Sequence, residues 1–205
     1  MPDLLYRNDL SLSPTAKVIP YAGDRIGTTA QQRPSVVNAP TNYGFRNLKI
    51  KPSLIDTVPE LSGDSSLKAL VSAINRPETC FFTVGCHSQL MMTDEGNYRQ
   101  GYLEFAWNCQ GCVQDAINYF ALYFHFNKFL RVRSFNQPIA FKWIIQEASF
   151  SDAEIDGFSC AIQMQTRSLS SVEQAEMTWQ FSLRMIGAYF NTVFTEADKP
   201  IYKPL

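Results

Sequence analysis

Residues 108–130 read NCQGCVQDAINYFALYFHFNKFL, and the reading of this stretch decides the fold. Val113, Ala116, Ile117, Phe120, Ala121 and Phe124 recur at intervals of three and four, which puts them on one face of a helix and predicts that face as core. The other side carries Tyr119, Leu122, Tyr123, Phe126 and Phe129. A helix apolar nearly all round is enclosed, either by a wrapping sheet or by a subunit contact. Asn108 suits an N-cap, Asp115 stands near the positive end of the dipole, and Lys128, Arg131 and Arg133 follow at the negative end. Residues 119–126 are also aromatic enough for a buried strand, and eight residues of periodicity do not separate the two.

Behind this stretch come three runs of alternating character. Ile139, Phe141, Trp143 and Ile145 share one face of the first, Phe158, Cys160, Ile162 and Met164 one face of the second. Met177, Trp179, Phe181, Leu183 and Met185 do so in the third. Lys142, Gln146, Gln163, Gln165, Gln180 and Arg184 stand between them, so each run is predicted as a half-buried strand of an antiparallel sheet. Asp156-Gly157 and Ser168-Leu169-Ser170-Ser171 supply turns. A run of about 13 residues extends roughly 43 Å at about 3.3 Å per residue. A compact chain of this length has a radius of gyration of only about 17 Å. Strands so long leave edges to be covered by barrel closure, by continuation between subunits, or by hairpins projecting onto a neighbour.

Ahead of it, Asp64-Ser65 offers an N-cap, Leu67, Leu70, Val71 and Ile74 make an apolar stripe, and Pro77 closes a short helix. Two strands follow at 79–86 and 98–107, joined by the loop SQLMMTDEGN. Residues 1–60 carry Pro14, Pro20, Pro34, Pro40, Pro52 and Pro59, too many for a long helix or a central strand. They are expected to form an extended, irregular N-terminal arm, in which Lys17-Val18-Ile19 and Leu48-Lys49-Ile50 are able to join a sheet edge. Tyr6, Arg7, Tyr21, Tyr43 and Phe45 are its expected contact anchors. Of 27 aromatic residues 23 follow residue 77, which makes 61–195 the body, and residues 196–205, with Pro200 and Pro204, a tail. The predicted class is α+β: an antiparallel sheet or partial barrel around one long buried helix.

Residues 1–51 hold seven Lys and Arg against three Asp, and the remainder eleven against sixteen acids, so a basic arm joins an acidic body. That asymmetry suits an arm lying on a neighbouring copy, and only secondarily one on nucleic acid, since no run of cations accompanies it. The start lacks a basic n-region and a long apolar h-region, and no window approaches eighteen uninterrupted apolar residues, so neither a secretory signal nor a membrane span is expected. Five cysteines, an odd number, suggest thiols or metal ligands in a reducing compartment, cytoplasmic or inside a virion.

Cys109-Gln-Gly-Cys112 is the sharpest local pattern. It follows Ala106-Trp107 at a strand end and opens a helix, where the helix N-terminus lowers a thiol pKa. Over about 25 residues it resembles the thioredoxin active site, strand then W-x-C-x-x-C then helix, and that resemblance implies thiol–disulfide exchange at Cys109 and Cys112. The resemblance ends where an antiparallel set follows the helix. A zinc set of Cys86, His87, Cys109 and Cys112, with Cys80 beside it, has the ligand types for a tetrahedral site, although neighbours on a strand point in opposite directions. His125 lies within the aromatic helix and reads as a core or interface group. Asp94, Glu95, Asp152, Glu154 and Asp156 fall in expected turns, where acids are solvated. Phosphate-cradling, nucleophile-elbow and H-E-x-x-H signatures are missing from the sequence. The expectation is a non-enzymatic assembly subunit without a cofactor, docking on copies of itself or on a companion structural protein. In architecture it looks like structural proteins of virus particles and phage tails, tail-tube and tail-terminator subunits above all.

Overall fold

Alternating side chains and helical stripes sort this chain into one sheet with its long helices on one face. The computed structural model describes residues 6–19, 45–135, 138–150, 153–167, 169–193 and 201. The order is β1 (Tyr6–Leu12), β2 (Lys17–Ile19), two 3-10 turns (Pro52–Thr57 and Pro59–Leu61), α1 (Ser65–Ile74), β3 (Phe81–Thr93) and β4 (Gly96–Trp107). There follow α2 (Gln110–Val113), α3 (Ile117–Arg131), β5 (Ile139–Phe150), β6 (Ile155–Thr166) and α4 (Val172–Phe190). The strands lie in the order β1-β5-β6-β4-β3, and β2 also pairs with β5. β3 to β6 pair antiparallel, whereas β1 and β2 run parallel to β5. The class is α+β.

Ile139, Phe141, Trp143 and Ile145 of β5 and Cys160, Ile162 and Met164 of β6 are buried, as their alternation foretold. Leu103, Phe105 and Trp107 of β4 continue that face. Tyr189 of α4 and Phe126 of α3 close over Trp143, with ring centroids 6.4 and 5.4 Å from it. Full burial of each such side chain is worth about 1.5–3 kcal/mol, so this layer dominates stability. The opposite face is covered at one end only. There Phe82 meets Phe45 and Phe150 at 5.9 and 5.7 Å, and Ile19 is buried with them.

Asp64 ties the layers together. It caps α1 by accepting from Leu67 N (2.9 Å), while its other oxygen accepts from Ser88 Oγ (2.9 Å), Trp179 Nε1 (2.6 Å) and Arg99 Nη1 (3.2 Å). One carboxylate thus joins α1, β3, β4 and α4. Gly101 leaves no room for a side chain between β3 and α4: a Cβ there would lie 2.1 Å from His87 O and 2.9 Å from the Trp179 ring.

Three expectations need correcting. The run from Met177 to Met185 is helix, not strand: Ser171 caps it through Gln174 N, and its buried face includes Ala175, Thr178, Trp179, Ser182 and Ile186. Two of those are small polar residues, whose hydroxyls bond within the helix to Gln174 O and Trp179 O. The alternation of large side chains therefore hid a period of 3.6. Residues 108–130 are not one helix enclosed by a sheet. The chain breaks between Val113 and Ile117, Cys109 rather than Asn108 caps α2, and Asp115 Oδ1 accepts from Ile117 N (2.8 Å) where α3 starts.

The core face of α3 is Tyr119, Leu122, Phe126, Phe129 and Leu130, and Ile117 and Phe124 are exposed. Its two apolar faces thus exchange the expected roles. The buried hydroxyl of Tyr119, donating to Phe158 O and accepting from Trp107 N, anchors the choice. Third, most of SQLMMTDEGN belongs to the β3–β4 hairpin, which turns at Asp94-Glu95 and enters Gly96 at a φ of 124°, a conformation that favours glycine. Of the two expected arrangements, sheet or partial barrel, the described residues form the open sheet, ending in β1 and β3. Within 1–60, Tyr6–Leu12 and Lys17–Ile19 lie in the sheet of their own chain.

Candidate functional site

Beyond its covered end, the helix-free face of the sheet is polar. Lys17 Nζ reaches both oxygens of Glu104 at 2.8 and 2.6 Å, and Ser159 Oγ donates to the same carboxylate at 2.8 Å. Both ions are largely withdrawn from water, and a buried pair holds when hydrogen bonds satisfy it, as here. Past it opens a groove of about 470 Å³, lined by Arg7 and Asp9 of β1, Lys142 of β5, Gln163 of β6, Tyr102 of β4 and His87 of β3. Burial, helped by the negative charge of Glu104, pushes the Tyr102 phenol up, so at neutral pH it is a hydrogen-bond donor. A floor of mixed charge and amide groups can hydrogen-bond a polar surface.

The four expected metal ligands do not assemble. Cys109 is 6% exposed at the start of α2, a helix of four residues with little dipole to offer a thiolate. Cys112 is half-buried in α2. Cys86 shares its sheet face with Leu103, while His87 shares the opposite one with Tyr102, as strand geometry requires. Burial first, then Glu60 and Asp64, push the Cys86 thiol up to about 12, away from the thiolate a metal takes. Among the described residues no group of three or more His, Cys, Asp or Glu side chains is placed to hold a metal ion, so the set Cys86, His87, Cys109 and Cys112 is not brought together.

The expected arm anchors divide. Tyr6 packs on Phe135 at 5.1 Å, and Phe45 is buried against Phe82, so both are occupied within their own chain instead of facing a neighbour. Arg7 is exposed, ion-pairs with Asp9 and lines the groove. Tyr21 and Tyr43 lie outside the described residues. His125 is exposed on α3, 5.5 Å from the Tyr189 ring.

What remains unmatched is apolar surface. On and just beyond α3, Ile117, Phe124 and Val132 are 67, 64 and 77% exposed. Phe120 and Tyr123 are half-buried beside them. Tyr123 Oη donates to Asn8 O (2.9 Å), which sets this flank against β1, the end strand of the sheet. Sequence reasoning named Ile117, Phe120 and Phe124 but gave them to the core. No family model, no curated protein and no solved structure matches this chain. Among the described residues no helix is long and apolar enough to cross a membrane.

Proposed function

We propose that the chain is a non-enzymatic building block of a multi-protein particle, of the virion or phage-tail kind, which docks on copies of itself. The observation that carries this is the exposed flank of Ile117, Phe124 and Val132 beside the terminal strand β1. Large apolar side chains at helical spacing next to an open sheet edge are what a subunit contact covers. Replacing two of them by charge tests it. An Ile117→Asp/Phe124→Asp chain keeps its core, because both side chains stand mostly in water. It is expected to stay at 23.3 kDa by light scattering under conditions where the unaltered chain forms a larger species. Equal masses for the two chains would overturn the reading.

A further inference from the structure

Among the described residues no strand pairs with the outer edge of β1, and that edge carries a pattern that fits itself. Ser13 N donates to Ile145 O (2.8 Å). Along a parallel strand the backbone groups alternate in direction, so Ser11, Asp9 and Arg7 also turn theirs to β5, and Leu10, Asn8 and Tyr6 turn theirs outward. In agreement, the Asn8 carbonyl bonds to Tyr123 and not to β5. Both amide atoms of the Asn8 side chain, Oδ1 and Nδ2, are buried without a hydrogen-bond partner. An orphaned buried amide is costly, and a native fold normally gives it a partner.

The geometry points to a second copy of this chain on that edge, its β1 antiparallel to the first about a twofold axis at Asn8. This rests on the assembly reading and says where its contact lies. In this register Asn8 faces Asn8 of the other copy as a hydrogen-bonded pair, its N–H donating across the axis and its carbonyl, which already accepts from Tyr123, accepting the second ladder bond on its other lone pair. The two Asn8 side chains lie on one face of the ladder, where a change of rotamer brings the orphaned amides, each buried in its own chain, within reach of each other. Arg7 then faces Asp9 of the other copy, and Asp9 faces Arg7, so both flanking pairs are attractive. A twofold contact requires that reciprocity.

The helix layer fits the same axis. Tyr123 of α3 faces β1, while His125 faces Tyr189 of α4. At about 100° per residue, Phe120 comes next beyond Tyr123 on the side away from α4, and Phe124 and Ile117 follow it round to the outer face of the helix, away from the sheet. Phe126 of α3 touches Phe141 and Trp143 of β5, so the helix sits over the pair formed by β5 and β1. With strands about 4.8 Å apart, such a helix lies roughly 10 Å from its symmetry mate, the ordinary distance for packed helices. Phe120 of each copy would then cover the other, with Phe124 and Ile117 flanking the contact.

Two charge changes test the axis. The Arg7→Asp chain places acid opposite acid at both flanking pairs, and the Asp9→Arg chain places base opposite base. Each alone is expected to self-associate about tenfold more weakly than the unaltered chain in sedimentation velocity. Mixed in equal amounts, every acid faces a base, and the heterodimer is expected to return to nearly the original affinity. A mixture that associates no better than its separate components overturns the twofold at Asn8. If the unaltered chain still associates in that case, the assembly reading stands and the contact lies elsewhere. An unaltered chain that stays monomeric at every concentration removes both.

Discussion

Asp64 is the residue whose loss the fold should feel most. It is 4% exposed and accepts from Leu67 N, Ser88 Oγ, Trp179 Nε1 and Arg99 Nη1. Asp64→Ala deletes the cap of α1, a loss of about 1 kcal/mol. It also leaves the buried Trp179 Nε1–H unsatisfied, at about 1–3 kcal/mol. Arg99 keeps Glu176 but loses its buried carboxylate, which raises the total to on the order of 4–5 kcal/mol once the shared parts are counted once. Asp64→Asn separates the contributions. Its remaining oxygen still caps α1, but the new amide turns a donor toward the Trp179 and Arg99 donors, or else the cap is given up, so about 3 kcal/mol is expected. Urea unfolding followed by tryptophan fluorescence reads both through the midpoint at unchanged slope. Losses below about 1 kcal/mol for both variants would refute Asp64 as the tie between layers.

Lys17→Met leaves the Glu104 carboxylate buried with only the Ser159 hydroxyl, and is expected to cost on the order of 3 kcal/mol in the same urea assay. Recovery of most of that loss in Lys17→Met/Glu104→Leu would identify the unpaired charge as its cause. Lys49, 1% exposed, is pushed down from 10.5 to about 8, chiefly by burial, with Cys80 and Glu78 opposing. The folded chain therefore releases this proton before the unfolded chain does, and stability should rise between about pH 8 and 10.5 relative to Lys49→Met, which lacks the group. Parallel stability curves for the two chains across that window would contradict the assignment. Cys109 should react with an alkylating reagent only as fast as the chain opens, slowing with added stabiliser. Immediate labelling in the folded protein would restore the thiol-exchange reading.

Much of the sheet was legible in the sequence because its strands bury one face. Ile139 to Ile145 and Cys160 to Met164 alternate in burial as they alternate in sequence, the signature of a strand with one covered face. The short helix α1 was legible through Asp64 and the stripe Leu67, Leu70, Val71 and Ile74. Helix α4 escaped because Thr178 and Ser182, polar by type, are buried by size, while Met177, apolar by type, is 62% exposed. Ser171 with Gln174 three residues on was the cap signal that pointed to it. The inverted face of α3 was beyond periodicity, since both faces are apolar and only the partners of the Tyr119 hydroxyl separate them. The groove was hidden for a different reason: Arg7 is 135 residues from Lys142, and parallel pairing of β1 with β5 brings their strands together. The zinc set failed on a rule visible in advance, since Cys86 and His87 adjoin on a strand and face opposite ways.

The mass of the unaltered full-length chain in solution, by sedimentation equilibrium over a wide range of concentration, bears most directly on the assembly reading. The expected mass is a whole multiple of 23.3 kDa that falls toward the single-chain value on dilution. A mass fixed at 23.3 kDa up to the highest attainable concentration would contradict it, and would leave the apolar flank of α3 without the partner proposed for it.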